Sequence, residues 1–169
     1  MSDALQQWNS AEKATALASA ITCCGSTRWA GLLVQGRPFS TPAAVYSAAD
    51  STWAQMQEED WLEAFACHPR IGERKPAHAT AKSAAWSRQE QSSVAVSDDS
   101  VLAELAAANA LYEQRFGFTY IVCATGKSAT EMLAILNHRL AGDRATELRE
   151  AAEQQRQITQ IRLGKWLIE

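Results

Sequence analysis

The alanine content of this sequence limits its fold more than any other feature. Thirty-two of the 169 residues are alanine, against 8 glycines and 4 prolines. Alanine is the strongest helix former because it loses no side-chain entropy in a helix, whereas glycine and proline interrupt helices. A β-sandwich or barrel would need more turn residues and more valine, threonine and tyrosine. The composition therefore predicts an all-α fold.

Length, charge and hydropathy narrow the class of protein further. A chain of 169 residues is the length of one domain and can bury roughly 70% of its unfolded surface. The net charge of −3 and the lack of a strong basic run argue against a nucleic-acid partner. Apolar runs are shorter than the roughly 18 residues of a membrane span, and the opening MSDALQQW does not resemble a secretory signal. We therefore expect a cytoplasmic protein that consists of a single domain, residues 1–169.

Apolar residues recur at helical spacing along most of the chain and predict a bundle of about eight helices. The first helix is expected to begin near Ser10, and the last to end near Leu167. Thr41-Pro42 provides an N-cap that is followed by proline at the first helical position. Ser128 and Glu131 have the spacing of a capping box, in which each side chain bonds the backbone of the other residue.

Two stretches depart from the helical pattern. Cys67 to about Thr80 contains two prolines and a glycine, which predicts a long loop, and long loops in compact domains are often functional. A helix is expected to follow from about Lys82 to Val96. The β-prone run FTYIVC, residues 118–123, has no partner strand. It predicts a short buried extended segment near 118–124, whose remaining backbone groups could bind a polar ligand.

His68 is held in place by the residue that follows it. Pro69 restricts the backbone of the preceding residue to extended geometry, which places His68 just past the end of a helix. Two interpretations fit this position. The imidazole is either an ordinary partner of the helix C-terminus or an acid/base group that titrates near neutral pH.

Three polar residues share one face of the helix after the loop. Ser87, Glu90 and Gln91 lie at positions i, i+3 and i+4, and are therefore neighbours on the helix surface. Val94 continues this face and Ala84 precedes it, which indicates a half-buried surface. The alternative is a face that water simply solvates.

Arg162 lies on the expected inner stripe of the last helix, one turn after Ile158. An arginine cannot lose its charge, so one that faces the core needs an anionic partner. That partner is either a structural carboxylate or the carboxylate of a substrate, which fits the guanidinium fork.

The cysteines and histidines lack the spacing of a metal site. Cys67 and His68 are adjacent and cannot both point at one metal from a helix. His78 and His138 have no matching ligands and are expected at the surface or at helix ends. The four cysteines predict buried thiols. We therefore expect no metal.

Four blocks of the sequence together resemble the family of 2-oxo-4-hydroxy-4-carboxy-5-ureidoimidazoline decarboxylases (OHCU decarboxylases). They are HPRIGE at 68–73, SRQEQ at 87–91, YEQRFGFTYIVCATG at 112–126 and IRL at 161–163. Each block alone is a weak signal, but their order and spacing are specific. The resemblance extends over essentially the whole chain.

The resemblance implies a cofactor-free, all-helical and typically homodimeric enzyme. Its reaction would be the last step from urate to (S)-allantoin, the decarboxylation of a ureidoimidazoline substrate. By this resemblance His68 is the acid/base histidine, Glu90 the catalytic glutamate and Arg162 the arginine that holds the substrate. The other substrate-binding residues that it implies are Pro69, Ser87, Arg88, Gln89, Gln91, Tyr120, Ile121, Val122, Cys123 and Ala124.

The sequence departs from the family pattern at two places. Thr119-Tyr120 stands where Pro-Phe is usual, and Ser92-Ser93 follows the EQ pair where Ala-Gly is common. The first difference could alter packing near the pocket. Neither difference changes a proposed catalytic group.

Two other functions fit the same residues. A non-catalytic helical interaction module would leave the polar face solvated, and no pocket would bring together His68, Glu90 and Arg162. A metal-dependent hydrolase of ureido compounds would instead use His68, Cys67 and Glu90. Metal analysis of the purified protein separates the hydrolase from the decarboxylase.

Overall fold

Helices form all the regular secondary structure of the residues that a computed structural model describes. These are residues 3–72 and 80–168, with only the backbone described at 95 and 96. No strand occurs among them, so the expected all-α fold is confirmed. In chain order the helices are α1 Asp3–Ser10, α2 Lys13–Cys23, α3 Thr27–Gln35, α4 Pro42–Trp53, α5 Glu58–Ala66, α6 Ala81–Glu90, a 3-10 helix Ser92–Val96, α7 Asp99–Phe116, α8 Ala129–Leu140 and α9 Arg144–Trp166.

Side-chain caps fix the starts of several helices, as their sequences predict. The Thr41 side chain accepts a hydrogen bond from the Ala44 N–H, with Pro42 at the first position of α4. Ser128 and Glu131 form the expected capping box at the start of α8. Each cap satisfies backbone N–H groups that have no partner within the helix.

The helices differ from the expectation at two places. The helix expected from near Ser10 is α2, which begins at Lys13, and the unexpected α1 precedes it, a largely polar helix anchored by the buried Leu5 and Trp8. The helix expected from Lys82 to Val96 is divided after Glu90. The Ser93 hydroxyl in the second part donates to the carbonyl of Lys127 at 2.6 Å. The Ser97 hydroxyl donates to the carbonyl of Ser93 at 3.0 Å, and serine side chains that bond nearby backbone in this way compete with regular helix.

The chain divides into two compact units. The first comprises Met1–Ala64 and Arg156–Glu169, and the second comprises Phe65–Gln155. In the first unit Trp29 is fully buried and donates from its indole N–H to the carbonyl of Ala49 at 3.1 Å. The second unit holds all the candidate site residues except Arg162.

An irregular segment lies in the core of the second unit. Residues 119–124, between α7 and α8, are neither helix nor strand, and Phe118 and residues 120–124 are buried. The sequence predicted a buried non-helical segment here. The rings of Tyr112 and Tyr120 pack with their centroids 5.5 Å apart, and burial raises the pKa of both phenols above its usual range.

A buried ion pair supports this segment. Arg139 of α8 donates from Nε to Glu147 Oε2 at 2.8 Å, and both side chains are at most 6% exposed. Arg139 also donates from Nη1 to the carbonyl of Ile121 at 2.7 Å, and Tyr112 donates its hydroxyl to Glu147 at 2.8 Å. The two charges are therefore paired with each other and with neighbouring polar groups, as burial requires.

Replacing Glu147 with alanine is expected to lower the free energy of unfolding by about 3–5 kcal/mol, because it leaves the Arg139 charge buried without its anion. Urea unfolding followed by circular dichroism measures the change. Arg28→Ala is the control, since Arg28 pairs with Asp60 but is 54% exposed, and exposed pairs contribute about 0–1 kcal/mol. Equal losses in the two variants would contradict this account of the buried pair.

Candidate active site

The imidazole of His68 lies at the end of α5, where the backbone turns away from the helix. The His68 N–H donates to the carbonyl of Phe65 at 3.0 Å, and Pro69, which follows, is buried. The ring is half-buried, and its Nε2 lies 2.7 Å from Oε1 of Gln155 on α9. Gln155 is fully buried. The histidine is therefore more than a partner of the helix C-terminus, because a buried amide orients its ring.

The polar face of α6 is half-buried, as the sequence predicted. Ser87 is 2% exposed, and Glu90 and Gln91 have intermediate exposure. The side chains of Arg88 and Gln89 point to the exposed side of the same helix. Residues three or four positions apart share one face of a helix, so the half-buried and the exposed residues lie on different faces.

A hydrogen bond connects this helix to the loop that carries His68. Gln91, the C-cap of α6, accepts from the backbone N–H of Gly72 through Oε1 at 3.0 Å. Gly72 has a φ of 90°, a backbone conformation that glycine adopts without steric cost. The start of the loop is thus held against the end of α6, although the two are far apart in sequence.

A second connection joins the loop to the irregular segment. Arg70 binds Glu113 of α7 through both ends of its guanidinium fork, at 2.7 and 2.6 Å, and Thr119 donates its hydroxyl to the same carboxylate at 2.6 Å. The hydrogen bonds from Arg70 hold the pKa of the Glu113 carboxyl below its usual range, and the hydrogen bond from Thr119 acts in the same direction. Glu113 therefore anchors the His68 loop next to the start of the segment.

Side chains use several of the backbone groups in the irregular segment. The Ile121 carbonyl accepts from Arg139, the Cys123 N–H donates to Gln154 Oε1 at 2.8 Å, and the Cys123 carbonyl accepts from Lys127 Nζ at 2.8 Å. Within the described part of the chain, no hydrogen bond reaches the backbone N–H or carbonyl of Val122. Val122 therefore has one backbone donor and one backbone acceptor that could bind a polar ligand.

Arg162 lies on the part of α9 that belongs to the first unit. Its side chain is 2% exposed, as its position on the inner stripe of α9 predicts. A buried guanidinium requires polar or anionic partners. Its participation in the site remains a prediction.

No three histidine, cysteine, aspartate or glutamate side chains within 3–72 and 80–168 are grouped so that they could hold a metal ion. Over the same ranges, no helix combines the length and hydropathy that crossing a membrane requires. The cysteines are all thiols, and three of the four are buried. Glu73 and His78 lie outside the described residues.

Comparison with known proteins identifies the family. The model of the OHCU decarboxylase family matches residues 9–164. The chain belongs to the OHCU decarboxylase family. Its fold also matches a crystal structure described as OHCU decarboxylase in the presence of (S)-allantoin, with a TM-score of 0.76 and 36% identity over 88% of this chain and 96% of that one.

Two relatives in this family illustrate how the chain compares in length. The Uric acid degradation bifunctional protein TTL of Arabidopsis thaliana is 39% identical over 144 residues, which are 85% of this chain but only 44% of the plant protein. The 2-oxo-4-hydroxy-4-carboxy-5-ureidoimidazoline decarboxylase of Amia calva is 30% identical over 132 residues, which are 76% of this chain and 73% of that protein. The chain thus spans less than half of the plant relative.

Several residues of this OHCU decarboxylase family member escaped the sequence analysis. Helical spacing places Gln155 on the same inner stripe of α9 as Ile158, but it does not predict the contact of Gln155 with His68. An amide on an otherwise apolar stripe was the available signal, because buried amides need partners. Arg70 and Glu113 gave no such signal, since both are charged residues in stretches where surface charge is ordinary.

Removing the guanidinium at Arg70 is expected to raise the pKa of Glu113 toward its ordinary value of 4.5. The lowered pKa means that the pair stabilises the fold above pH 4.5 and loses this effect as pH falls through the lowered value. Carboxyl carbon chemical shifts of Arg70→Ala, followed from pH 7 to pH 2, measure the change.

Arg149→Ala is the control for this titration, because Arg149 is exposed and bonds only to Thr146 among the described contacts. It should leave the Glu113 titration unchanged. An unchanged pKa in Arg70→Ala would mean that the fork contributes nothing in solution.

Proposed function

We propose that this chain decarboxylates 2-oxo-4-hydroxy-4-carboxy-5-ureidoimidazoline to (S)-allantoin, the last step of urate degradation. The observation that carries the proposal is the linkage of three segments within the second unit. Hydrogen bonds from Gly72 to Gln91 and from Arg70 to Glu113 hold the His68 loop against α6 and against the start of the irregular segment. An imidazole, a carboxylate-bearing face and unused backbone amide groups therefore belong to one assembly.

The substrate chemistry suits a protein that supplies only side chains and backbone. Loss of CO₂ leaves an electron pair on the ring carbon, and the adjacent C=N bond can take up this pair. The substrate is thus its own electron sink, the role that a cofactor plays in many other decarboxylases. The protein must orient the ring, place charge near it and deliver one proton to one face.

His68 is the proton-handling group in this proposal. Its pinned backbone and its bond to Gln155 hold the imidazole in one orientation, which general acid–base catalysis requires. Glu90 orients the imidazole and supports its charge. Because Nε2 is engaged by Gln155, the substrate acts at the other ring nitrogen, Nδ1, and the negative charge of Glu90 stabilises the imidazolium that forms.

The remaining roles concern the ureido and ring amide groups of the substrate. Gln91 uses its carbonyl oxygen for Gly72, so it would bind the substrate through its amide NH₂, next to the hydroxyl of Ser87. The backbone of residues 120–124, above all that of Val122, would pair with amide edges of the substrate. Arg88 and Gln89 are included by resemblance only, because their side chains are exposed.

Arg162 grips a carbonyl or carboxylate group of the substrate in this proposal. Its fork matches such groups better than a lysine would. An arginine that held the departing carboxylate tightly would stabilise the ground state as much as the transition state.

The proposal includes a homodimer in the cytoplasm. The dimer follows from the family resemblance, and the four thiols agree with a reducing compartment. Size-exclusion chromatography with light scattering should give twice the 18.5 kDa mass of the chain. A mass equal to that of one chain at all concentrations would contradict the dimer.

His68→Asn is expected to lower kcat by about 10²- to 10⁴-fold, because asparagine keeps a polar group but cannot exchange the proton. The unstable substrate is generated in situ from urate, and the optical activity of the product is followed with time. Spontaneous decay gives racemic allantoin, so only the enzymatic reaction produces a rotation.

His138→Asn is the matched control, since His138 is exposed on α8 and has no role in the proposed site. It should retain the activity of the unmodified chain. Near-normal turnover by His68→Asn would refute the role of His68. Racemic product at the spontaneous rate from the unmodified chain would refute the proposed function.

A further inference from the structure

Gln155 contacts the His68 ring from a fully buried position. Its Oε1 lies 2.7 Å from His68 Nε2. We propose that Gln155 is a positioning residue that fixes His68 in the Nε2–H tautomer, so that Nδ1 is the nitrogen that exchanges the proton with the substrate. This inference rests on the proposed function and specifies it at the level of one atom.

The tautomer follows from the chemistry of the two groups. An amide oxygen can only accept a hydrogen bond, so the imidazole nitrogen that faces it must carry a proton. A neutral imidazole has one N–H donor and one acceptor nitrogen. Because the donor is Nε2, the lone pair that can take up a proton is on Nδ1. Proton transfer at Nδ1 forms the imidazolium without breaking the bond to Gln155.

Burial makes this arrangement rigid. Gln155 has no exposed surface, and the neighbouring Ala151, Ala152 and Ile158 on the same face of α9 are also buried. If the His68 ring turned over, the hydrogen bond between Nε2 and the buried amide oxygen would be lost. Losing a buried hydrogen bond is unfavourable, which favours one orientation and one tautomer of the ring.

Gln154, the residue before Gln155 on α9, binds the backbone of the irregular segment. Gln154 accepts the Cys123 N–H through Oε1, and its amide is itself fixed by donating to Glu150 at 3.0 Å. Two consecutive glutamines therefore position the imidazole and the irregular segment with respect to each other. This is the degree of control that delivery of a proton to one face of a ring requires.

Gln155→Met tests the proposal, because methionine has nearly the same shape but offers no comparable acceptor. The variant is expected to lose up to about 10²-fold in kcat with little change in KM, since a misplaced acid/base group affects the reaction more than binding. Gln155→Glu keeps an acceptor oxygen at the same reach and is expected to recover most of this loss. Gln114→Met, at an exposed position of α7, should behave as the unmodified chain does.

The tautomer is measured separately from activity. Long-range ¹H–¹⁵N correlation spectra of the substrate-free protein distinguish the Nε2–H from the Nδ1–H form of a neutral histidine, and His68→Asn assigns the signal. The unmodified chain and Gln114→Met should show His68 as the Nε2–H tautomer. Gln155→Met should show a mixture of the two forms.

The outcomes separate this inference from the proposed function. An Nδ1–H signal in the unmodified chain, or a Gln155→Met variant that keeps both its kcat and its tautomer, overturns the inference and leaves the decarboxylase activity standing. A kcat loss in Gln155→Met with an unchanged tautomer also overturns it. Should Gln155→Met fail to fold, the spectrum of the unmodified chain and the kcat of Gln155→Glu still decide the question. A racemic product from the unmodified chain is the separate failure of the proposed function.

Discussion

The organisation of the second unit depends on a requirement of backbone chemistry. A segment that is neither helix nor strand can be buried only if other groups satisfy its N–H and C=O groups. At residues 119–124 these groups are side chains: Arg139 at the Ile121 carbonyl, with Gln154 and Lys127 at the backbone of Cys123. The buried partner of Arg139, Glu147, follows from this need, because the guanidinium carries its charge into the core. The ion pair thus allows a charged side chain to bond the buried backbone of the segment.

The same kind of contact builds the rest of the candidate site. Gln91 holds the backbone of Gly72, and Glu113 holds the side chains of Arg70 and Thr119. Each of these bonds joins residues that lie on different elements. The candidate site is therefore assembled from loops and helix ends that long polar side chains hold in place. The apolar residues buried between the helices stabilise the rest of the unit.

Local signals in the sequence predicted much of this architecture. The all-α class, the caps at Thr41 and Ser128, and the buried segment after Gly117 all follow from propensity, capping and hydropathy, which act over a few residues. The half-buried face of Ser87, Glu90 and Gln91 followed from helical spacing alone. The residue roles came from the family resemblance, and they remain predictions.

What the sequence could not predict are pairings between distant residues. Gln155 contacts His68 across 87 positions, and Arg70 contacts Glu113 across 43. No periodicity encodes such pairs, because each depends on how two separately formed elements pack. The sequence does not predict α1 for a related reason, since its few apolar residues gain their stability from burial against the rest of the first unit.

The two adjacent glutamines of α9 have a consequence for how this gene can change. Successive residues of an α-helix are rotated by about 100° from each other, so Gln154 and Gln155 reach two different targets from a single turn. Inserting one codon between their positions would turn one amide away from its target while the other stayed in place. The length of this stretch is therefore under a geometric restriction that substitutions on its outer surface escape.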